Sequence, residues 1–405
     1  MRINSQIMKT NNVLLIVHTI QQNAPISRSE LTQRVGLTTA AVIHITNELM
    51  EAGVLVQTGR ADGTHGRRAV LLDVNADAFY VLGAEVNTSE INVGLSDFRG
   101  SIVRRASAPM SVPTSPEAAA AEIAALVRRV VAEAGVDAAK LLGLGLALPG
   151  PLDSQRGVMI NPPNLPGWEN VPICEMLRRE LDIPVCCDRE TNAAALAEHF
   201  YGAAIGYKTA AVISLFRLGV GGGIISGGNV LHGFRDGAGE IGHVTVDPAG
   251  PRCICGSFGC LETMVSGSAL VQRAQQLYKL HLDGGAAALE NVEDLTLEDV
   301  FRRSEQGDTV CEHVVRQAAA HISVALGSVI NLYSPEAIVL AGPLPAMSGQ
   351  LVRLIRGHVQ AKRYPRHCAE IQVLESHFGE TTFVMGGVVL AMDAFLPARI
   401  ARRSG

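Results

Sequence analysis

Three cysteines and a histidine set the tightest constraint on how this chain folds. Cys253, Cys255 and Cys260 fall within eight residues, and His243 precedes them. Gly256 and Gly259, interleaved with the cysteines, allow the tight turn that brings three thiolates round one point. Zinc takes a tetrahedral shell of nitrogen and sulfur donors, so His243, Cys253, Cys255 and Cys260 are candidate ligands of one ion per chain. Four protein donors leave no position for an activated water, and the expected site is structural. Unrelated buried cysteines beside a core histidine are the plainer alternative, but clustered spacing of this kind is the pattern of a metal loop.

The same cysteines point to a reducing, cytoplasmic setting. Val13 to Ile20 follows Lys9 as a short apolar run, but His18 interrupts it and no small-x-small cleavage site follows. No run of 18 apolar residues occurs, so no membrane-spanning helix is expected. With 47% apolar and 18% charged residues over 405 positions, the composition excludes a disordered chain and leaves room for more than one domain. The net charge of −5 divides unevenly. Residues 1–75 carry seven basic and five acidic side chains, and the remainder is net −7. A uniformly basic nucleic-acid surface is therefore not expected.

Within 1–75, Ile3, Ile7, Leu14 and Val17 recur at helical spacing until Pro25 breaks the run. Ser27 and Glu30 form a capping-box pattern that opens a helix through Val35, and Gly36 makes a turn. Thr38 caps a third helix, expected to run to about Glu51 and stop at Gly53. Val54–Thr58 and Ala69–Val74 read as strands around a tip at Gly59–Gly66. Helix, helix, turn, helix and hairpin is the layout of a winged helix-turn-helix, whose post-turn helix enters the DNA major groove. Thr38, Thr39, Ala40 and His44 are then candidate reading residues, and Arg60, Arg67 and Arg68 suit phosphates from the wing.

From 76 onward, β-rich runs alternate with helices, the pattern of an α/β body. Phe79–Val86, Ile91–Phe98 and Ile102–Ala108 read as strands, followed by a helix over Pro116–Ala134 capped by Ser115. Leu141–Leu148 and Ile183–Asp188 read as strands, and Thr191–Tyr201 as a helix. A second set opens at Thr209–Leu215, passes a glycine-rich turn and continues in strands through Val246. Asp308–Tyr333 reads as a long helix leading to the strand Ala337–Ala341, and Thr382–Phe395 as a last helix packing back on the first lobe. The expected architecture is two ribonuclease-H-like lobes: 76–188 with 382–405, and 189–381 with the metal loop.

Glu240-Ile-Gly-His243 followed by Cys253-x-Cys-Gly-x-x-Gly-Cys260-x-Glu262 resembles the signature of the ROK family of repressors and sugar kinases. Pro163-Asn164-Leu-Pro-Gly-Trp168, Ala193-Ala-Ala-Leu-Ala-Glu198 and Gly219-Val-Gly-Gly-Gly223 fit other landmarks of that family. A winged helix-turn-helix on such a body is similar to the NagC/Xyl-type repressor branch. The resemblance implies sugar contacts at Glu240, His243 and Glu262, with Asn164 and Glu190 as further candidates. Trp168 reads as a core residue before a sugar-stacking one.

The resemblance also marks departures from the kinases. The kinase phosphate loop carries glycines where this chain has Glu85-Val-Asn87-Thr88-Ser89-Glu90. Side chains fill the phosphate approach, and Glu90 adds like charge. Arg189-Glu190-Thr-Asn192 stands where kinases place Asn-Asp-x-Asn. Glu190 is one methylene longer than the catalytic Asp, and a misplacement of ~1 Å can cost about a hundredfold. Arg189 in place of a sugar-binding Asn favours an anionic sugar phosphate. The expected protein is a non-enzymatic, sugar-responsive transcriptional regulator of carbohydrate utilisation, at least a homodimer, or a tetramer, on operator DNA. A residual sugar kinase and a regulator governed by a protein partner are the alternatives.

Overall fold

The computed structural model describes residues 5–61, 69–110, 112–281, 291–362 and 370–403. The chain divides into two compact units, 1–193 with 383–405, and 194–382.

The first unit opens with α1 (Ser5–Asn23), then β1 (Ile26–Ser27), α2 (Arg28–Val35), α3 (Thr39–Glu51), β2 (Leu55–Ala61) and β3 (Ala69–Val74). The expected capping box closes reciprocally: the Glu30 amide donates to Ser27 Oγ at 3.3 Å, and the Ser27 amide to the Glu30 carboxylate at 3.0 Å. That second bond is the main reason the Glu30 carboxyl lies below its ordinary range. Gly36 ends α2 in the left-handed region, at φ 67°. A short strand absent from the sequence expectation, β1, pairs with β3, giving a three-stranded sheet in the order β1-β3-β2. Ile16, Ile20, Leu31, Val42, Leu49 and Leu72 are fully buried in this part of the unit.

The next elements are β4 (Tyr80–Val86), β5 (Glu90–Asp97), β6 (Ile102–Pro109), α4 (Pro116–Ala134), β7 (Leu141–Leu148), β8 (Leu152–Asp153), β9 (Val158–Met159), α5 (Ile173–Leu181) and β10 (Val185–Arg189). They form a five-stranded sheet in the order β10-β7-β4-β5-β6. The β4–β5 and β5–β6 pairs are antiparallel; β4–β7 and β7–β10 are parallel. Trp168 is 1% exposed in this core, and its indole N–H donates to the Thr114 carbonyl at 2.9 Å. The division between units falls within α6 (Glu190–Tyr201).

The second unit repeats the plan. It contains β11 (Thr209–Leu215), β12 (Val220–Ser226), β13 (Asn229–Val230), α7 (Leu261–Val265), α8 (Gly267–His281), α9 (Leu297–Glu305), α10 (Thr309–Tyr333), β14 (Ala337–Ala341), α11 (Pro343–Met347), α12 (Gly349–Gln360) and β15 (Gln372–Glu375). Its sheet runs β13-β12-β11-β14-β15, antiparallel over the first three strands and parallel over the last three. One correction follows. Strands were expected through Val246, but beyond β13 the chain turns through 3-10 segments at Phe234–Asp236 and Ile241–His243. Gly233, Arg235, Asp236 and Gly239 all have positive φ there, which no extended strand accommodates.

The last helix, α13 (Thr382–Arg403), belongs to the first unit from Phe383 onward. It runs past the expected end at Phe395 and includes Pro397. Leu396 and Ile400, on either side of the proline, are buried, which offsets its local cost. By length and composition this helix is apolar enough to cross a membrane, but most of its apolar stretch is buried inside the protein. Glycines allow its backbone to lie against the sheet. A Cβ at Gly83 would sit 2.0 Å from the Val384 carbonyl oxygen, and one at Gly145 2.0 Å from that of Gly387.

Candidate functional site

The metal-type donors converge in the second unit. One donor atom from each of His243, Cys253, Cys255 and Cys260 lies within 4.8 Å of the others. His243 Nδ1 is 3.5 Å from Cys253 Sγ, and Cys255 Sγ is 3.6 Å from Cys260 Sγ. The loop is folded by its own backbone: the Cys253 amide donates to the Ser257 carbonyl at 2.8 Å, and the Gly256 amide to that of Cys253 at 3.0 Å. Gly259, at φ 58°, has no room for a side chain, because a Cβ would lie 1.5 Å from the Asp247 carbonyl oxygen. Burial, then the neighbouring Cys255, pushes the Cys260 thiol up to about 12. The Ser257 amide hydrogen bond lowers that of exposed Cys255. Three sulfurs and one imidazole nitrogen at this separation match the donor chemistry of a tetrahedral metal site.

The three candidate sugar contacts are gathered beside this loop. Glu240 and His243 flank the 3-10 turn, and Glu262 stands in α7, two residues after Cys260. Gly242 explains the glycine of the Glu-Ile-Gly-His segment: a Cβ there would come within 2.1 Å of the Val220 carbonyl oxygen. The Val220 amide, in turn, donates to Glu262 Oε2 at 3.2 Å. The turn and the carboxylate are thus both fastened to the start of β12. Burial raises the Glu262 carboxyl; His243 opposes that shift and Glu240 adds to it, so all three residues share one electrostatic neighbourhood.

Glu190 and Asn164 lie in the first unit. Glu190 heads α6 and is half-buried, whereas Asn164 is exposed in the loop before Trp168. Arg189 is 4% exposed and packs on Gly150, its Cδ 3.1 Å from where a Cβ would stand. Asp188 accepts from the Arg189 amide at 2.7 Å and from Asn192 Nδ2 at 2.9 Å.

The segment from Glu85 to Glu90, expected to stand at the phosphate loop of the kinases, is closed on itself. Asn87 Oδ1 accepts from the Ser89 amide, the Glu90 amide and Ser89 Oγ, each at 2.9 Å. A side-chain carbonyl therefore occupies these donors. Asn87 Nδ2 and Asn92 Nδ2 donate to the two oxygens of Glu85, at 3.2 and 3.3 Å. Burial pushes the Glu85 carboxyl up to about 7 against these two bonds. The sequence offered a signal for this turn in the Asn-x-Ser pattern of an Asx-turn, although the role of Asn92 had none.

In the N-terminal part, Thr38 Oγ1 accepts from the Ala41 amide at 3.3 Å and so caps α3 as expected. Thr38, Thr39, Ala40 and His44 are all exposed. His44 Nε2 lies 3.4 Å from Glu48 Oε1, which also accepts from Lys9 Nζ at 2.9 Å. Arg60 stands in β2, and Arg67 and Arg68 lie outside the described residues.

Comparison with known proteins covers nearly the whole chain. The ROK family profile matches residues 81–394, and a winged helix-turn-helix DNA-binding profile matches residues 10–56. The chain is 27% identical to the xylose repressor of Caldicellulosiruptor bescii, over 97% of this chain and 98% of that protein. It is 26% identical to the DNA-binding transcriptional dual regulator NagC of Escherichia coli strain K12, over 97% and 95% respectively. A solved ROK family transcriptional regulator, a homologue of the E. coli MLC protein, superposes with a TM-score of 0.82 at 26% identity, covering 98% of this chain and 99% of that one. A ROK family glucokinase from Streptomyces griseus, solved with glucose and AMPPNP, gives a TM-score of 0.67 at 27% identity over 77% of this chain and 98% of its own.

Proposed function

The chain belongs to the ROK family, and on that premise we propose that it is a sugar-responsive, DNA-binding transcriptional regulator that represses carbohydrate-utilisation genes in the cytoplasm. The observation that carries this reading is a capped, outward-facing α3 in a winged helix-turn-helix, joined in one chain to a body of that family. Thr39, Ala40 and His44 face the major groove, with Thr38 at the phosphate end of the helix. Arg60, Arg67 and Arg68 of the wing complete the DNA contact. Two copies of the chain read two half-sites about one helical turn apart.

The effector is a sugar or sugar phosphate. Glu240 and Glu262 accept hydrogen bonds from neighbouring hydroxyls, and His243 uses one ring nitrogen for the metal and the other for the sugar. Zinc held by His243, Cys253, Cys255 and Cys260 supplies a fixed cross-link for the loop that carries these groups. A sugar that prefers the DNA-incompetent state by about 1–3 kcal/mol changes operator affinity roughly 5–150-fold. Kinase activity is not part of this reading, because Asn87 satisfies the amides a phosphate would need.

The test is to select duplexes from a random library with the full chain, then titrate the selected duplex with monosaccharides and their 6-phosphates. One sugar class is expected to weaken binding by at least fivefold. Failure to enrich any duplex would sink the DNA-binding reading. Enrichment without any sugar effect would instead support control by a protein partner.

A further inference from the structure

The exposed face of α3 extends beyond the residues assigned so far. Val42, Ile45, Thr46 and Leu49 face the core, while Thr39, Ala40, Ile43, His44 and Asn47 face outward. Ile43 is the anomaly on this face. It is a β-branched apolar side chain left 42% exposed, one turn after Thr39 in a helix whose buried stripe is already complete.

Asn47, one turn further along, is held in a defined orientation from α2. Arg28 Nε donates to Thr46 Oγ1 at 2.8 Å, and Arg28 Nη2 donates to Asn47 Oδ1 at 2.8 Å. A guanidinium has no acceptor, so the atom facing Arg28 must be the amide oxygen. The two N–H donors of Asn47 are therefore not the atoms facing Arg28, and the residue is exposed.

We propose that Ile43 and Asn47 read bases. Ile43 contacts a thymine methyl, Asn47 donates to the paired acceptors of a guanine, and Arg28 acts as the positioning residue that sets the amide. The proposal rests on the DNA-binding reading and adds a sequence preference to it. In the major groove thymine presents a methyl that an apolar side chain prefers, and guanine presents N7 and O6, both acceptors. An asparagine whose oxygen is engaged matches guanine better than adenine, whose edge asks for a donor and an acceptor together. Residues four apart on a helix are about 6 Å apart, and base pairs rise about 3.4 Å, so the thymine and guanine lie within about two base pairs.

The test uses the full chain and the duplex it selects from a random library. Each thymine is replaced in turn by deoxyuridine, which lacks only the methyl, and each guanine by 7-deazaguanine, which lacks only N7. One thymine per half-site is expected to cost wild type about fourfold on replacement, and to cost Ile43→Ala nothing further. One guanine within two base pairs of it is expected to show a 7-deazaguanine penalty that shrinks in Asn47→Ala and in Arg28→Lys. Ile43 is exposed, so Ile43→Ala should melt with wild type, which circular dichroism checks. Equal deoxyuridine penalties in wild type and Ile43→Ala, or a selected half-site without thymine, overturn the proposal while leaving DNA binding intact. If apolar Ile43 instead serves a protein partner, the substitution leaves every duplex affinity unchanged, which also overturns it. Enrichment of no duplex at all removes the underlying reading as well.

Discussion

His18 and Asp393 meet side chain to side chain, Nε2 to Oδ1 at 2.7 Å, across 375 positions of sequence. The first belongs to α1 of the winged helix-turn-helix, the second to α13, so the contact ties the DNA-reading part to the last helix of its own unit. Two further contacts reinforce it. Gln21 Nε2 donates to the Phe98 carbonyl at 2.6 Å, and Arg99 pairs with Asp73 at 2.7 Å. His18 is 5% exposed, so removing Asp393 takes a hydrogen-bond partner from a buried ring. Asp393→Ala is expected to destabilise the protein by about 1–3 kcal/mol, measured by denaturant unfolding. An unfolding midpoint identical to wild type would show that the contact contributes nothing to stability.

Removing the metal should loosen the loop that carries the candidate sugar contacts. Elemental analysis is expected to return about one zinc per chain, and a chelator should lower both the melting temperature and any sugar response. Cys255→Ser is expected to do the same. A metal-free Cys255→Ser protein with wild-type stability would contradict a structural role.

Two glycines of the same loop should respond very differently to substitution. Gly256 has positive φ, at 94°, but nothing within 4 Å of a Cβ, so Gly256→Ala should cost about 1 kcal/mol of backbone strain. Gly259 has positive φ and a carbonyl oxygen 1.5 Å from the Cβ position. Gly259→Ala should therefore displace the 247–260 segment, with a larger loss of melting temperature and of bound metal. Similar losses in the two variants would contradict this packing.

Glu85 gives a pH dependence of definite sign. Its carboxyl is raised from an ordinary 4.5 to about 7 by burial. The folded state therefore binds the proton more tightly than the unfolded chain does. The resulting stabilisation is complete below pH 4.5 and is lost as the pH rises to 7. Glu85→Gln, which removes this titration, is expected to flatten that decline. Between pH 4.5 and pH 8 it should therefore lose less stability than wild type does. Parallel stability–pH curves for the two proteins would count against it.

ATP should not be turned over. A coupled assay with ATP and a broad sugar panel is expected to stay at background, and Glu190→Ala should change nothing in it. Any sugar phosphorylation that disappears with Glu190→Ala would restore the kinase alternative.

The parts of this fold that were legible in sequence are those with local causes. Ser27 with Glu30, Thr38 and Ser115 each announce a helix start through a hydrogen bond spanning three residues, and each helix begins there. The cluster of one histidine and three cysteines was legible because three of its members are nearly consecutive. Strands beyond Val230 were misread because apolar content suggested extension where the chain bends through positive φ. The His18–Asp393 contact was invisible for a different reason. Neither residue has a local pattern that names a partner so far away, and only the packing of α13 on Gly83 and Gly145 brings them together. Likewise, side chains at Asn87 and Thr88 were expected to fill a phosphate approach. That Asn87 itself occupies the amides depends on the turn the backbone takes.

The position of α13 has a consequence for the order of synthesis. On the ribosome the DNA-reading part is made first, but the aspartate that fastens His18 follows 375 residues later. The glycine-lined bed on β4 and β7 likewise stays uncovered until Val384 and Gly387 emerge. An interrupted translation product would therefore keep the Gln21–Phe98 and Arg99–Asp73 contacts but lack the His18–Asp393 contact, and its bare sheet would be open to proteases.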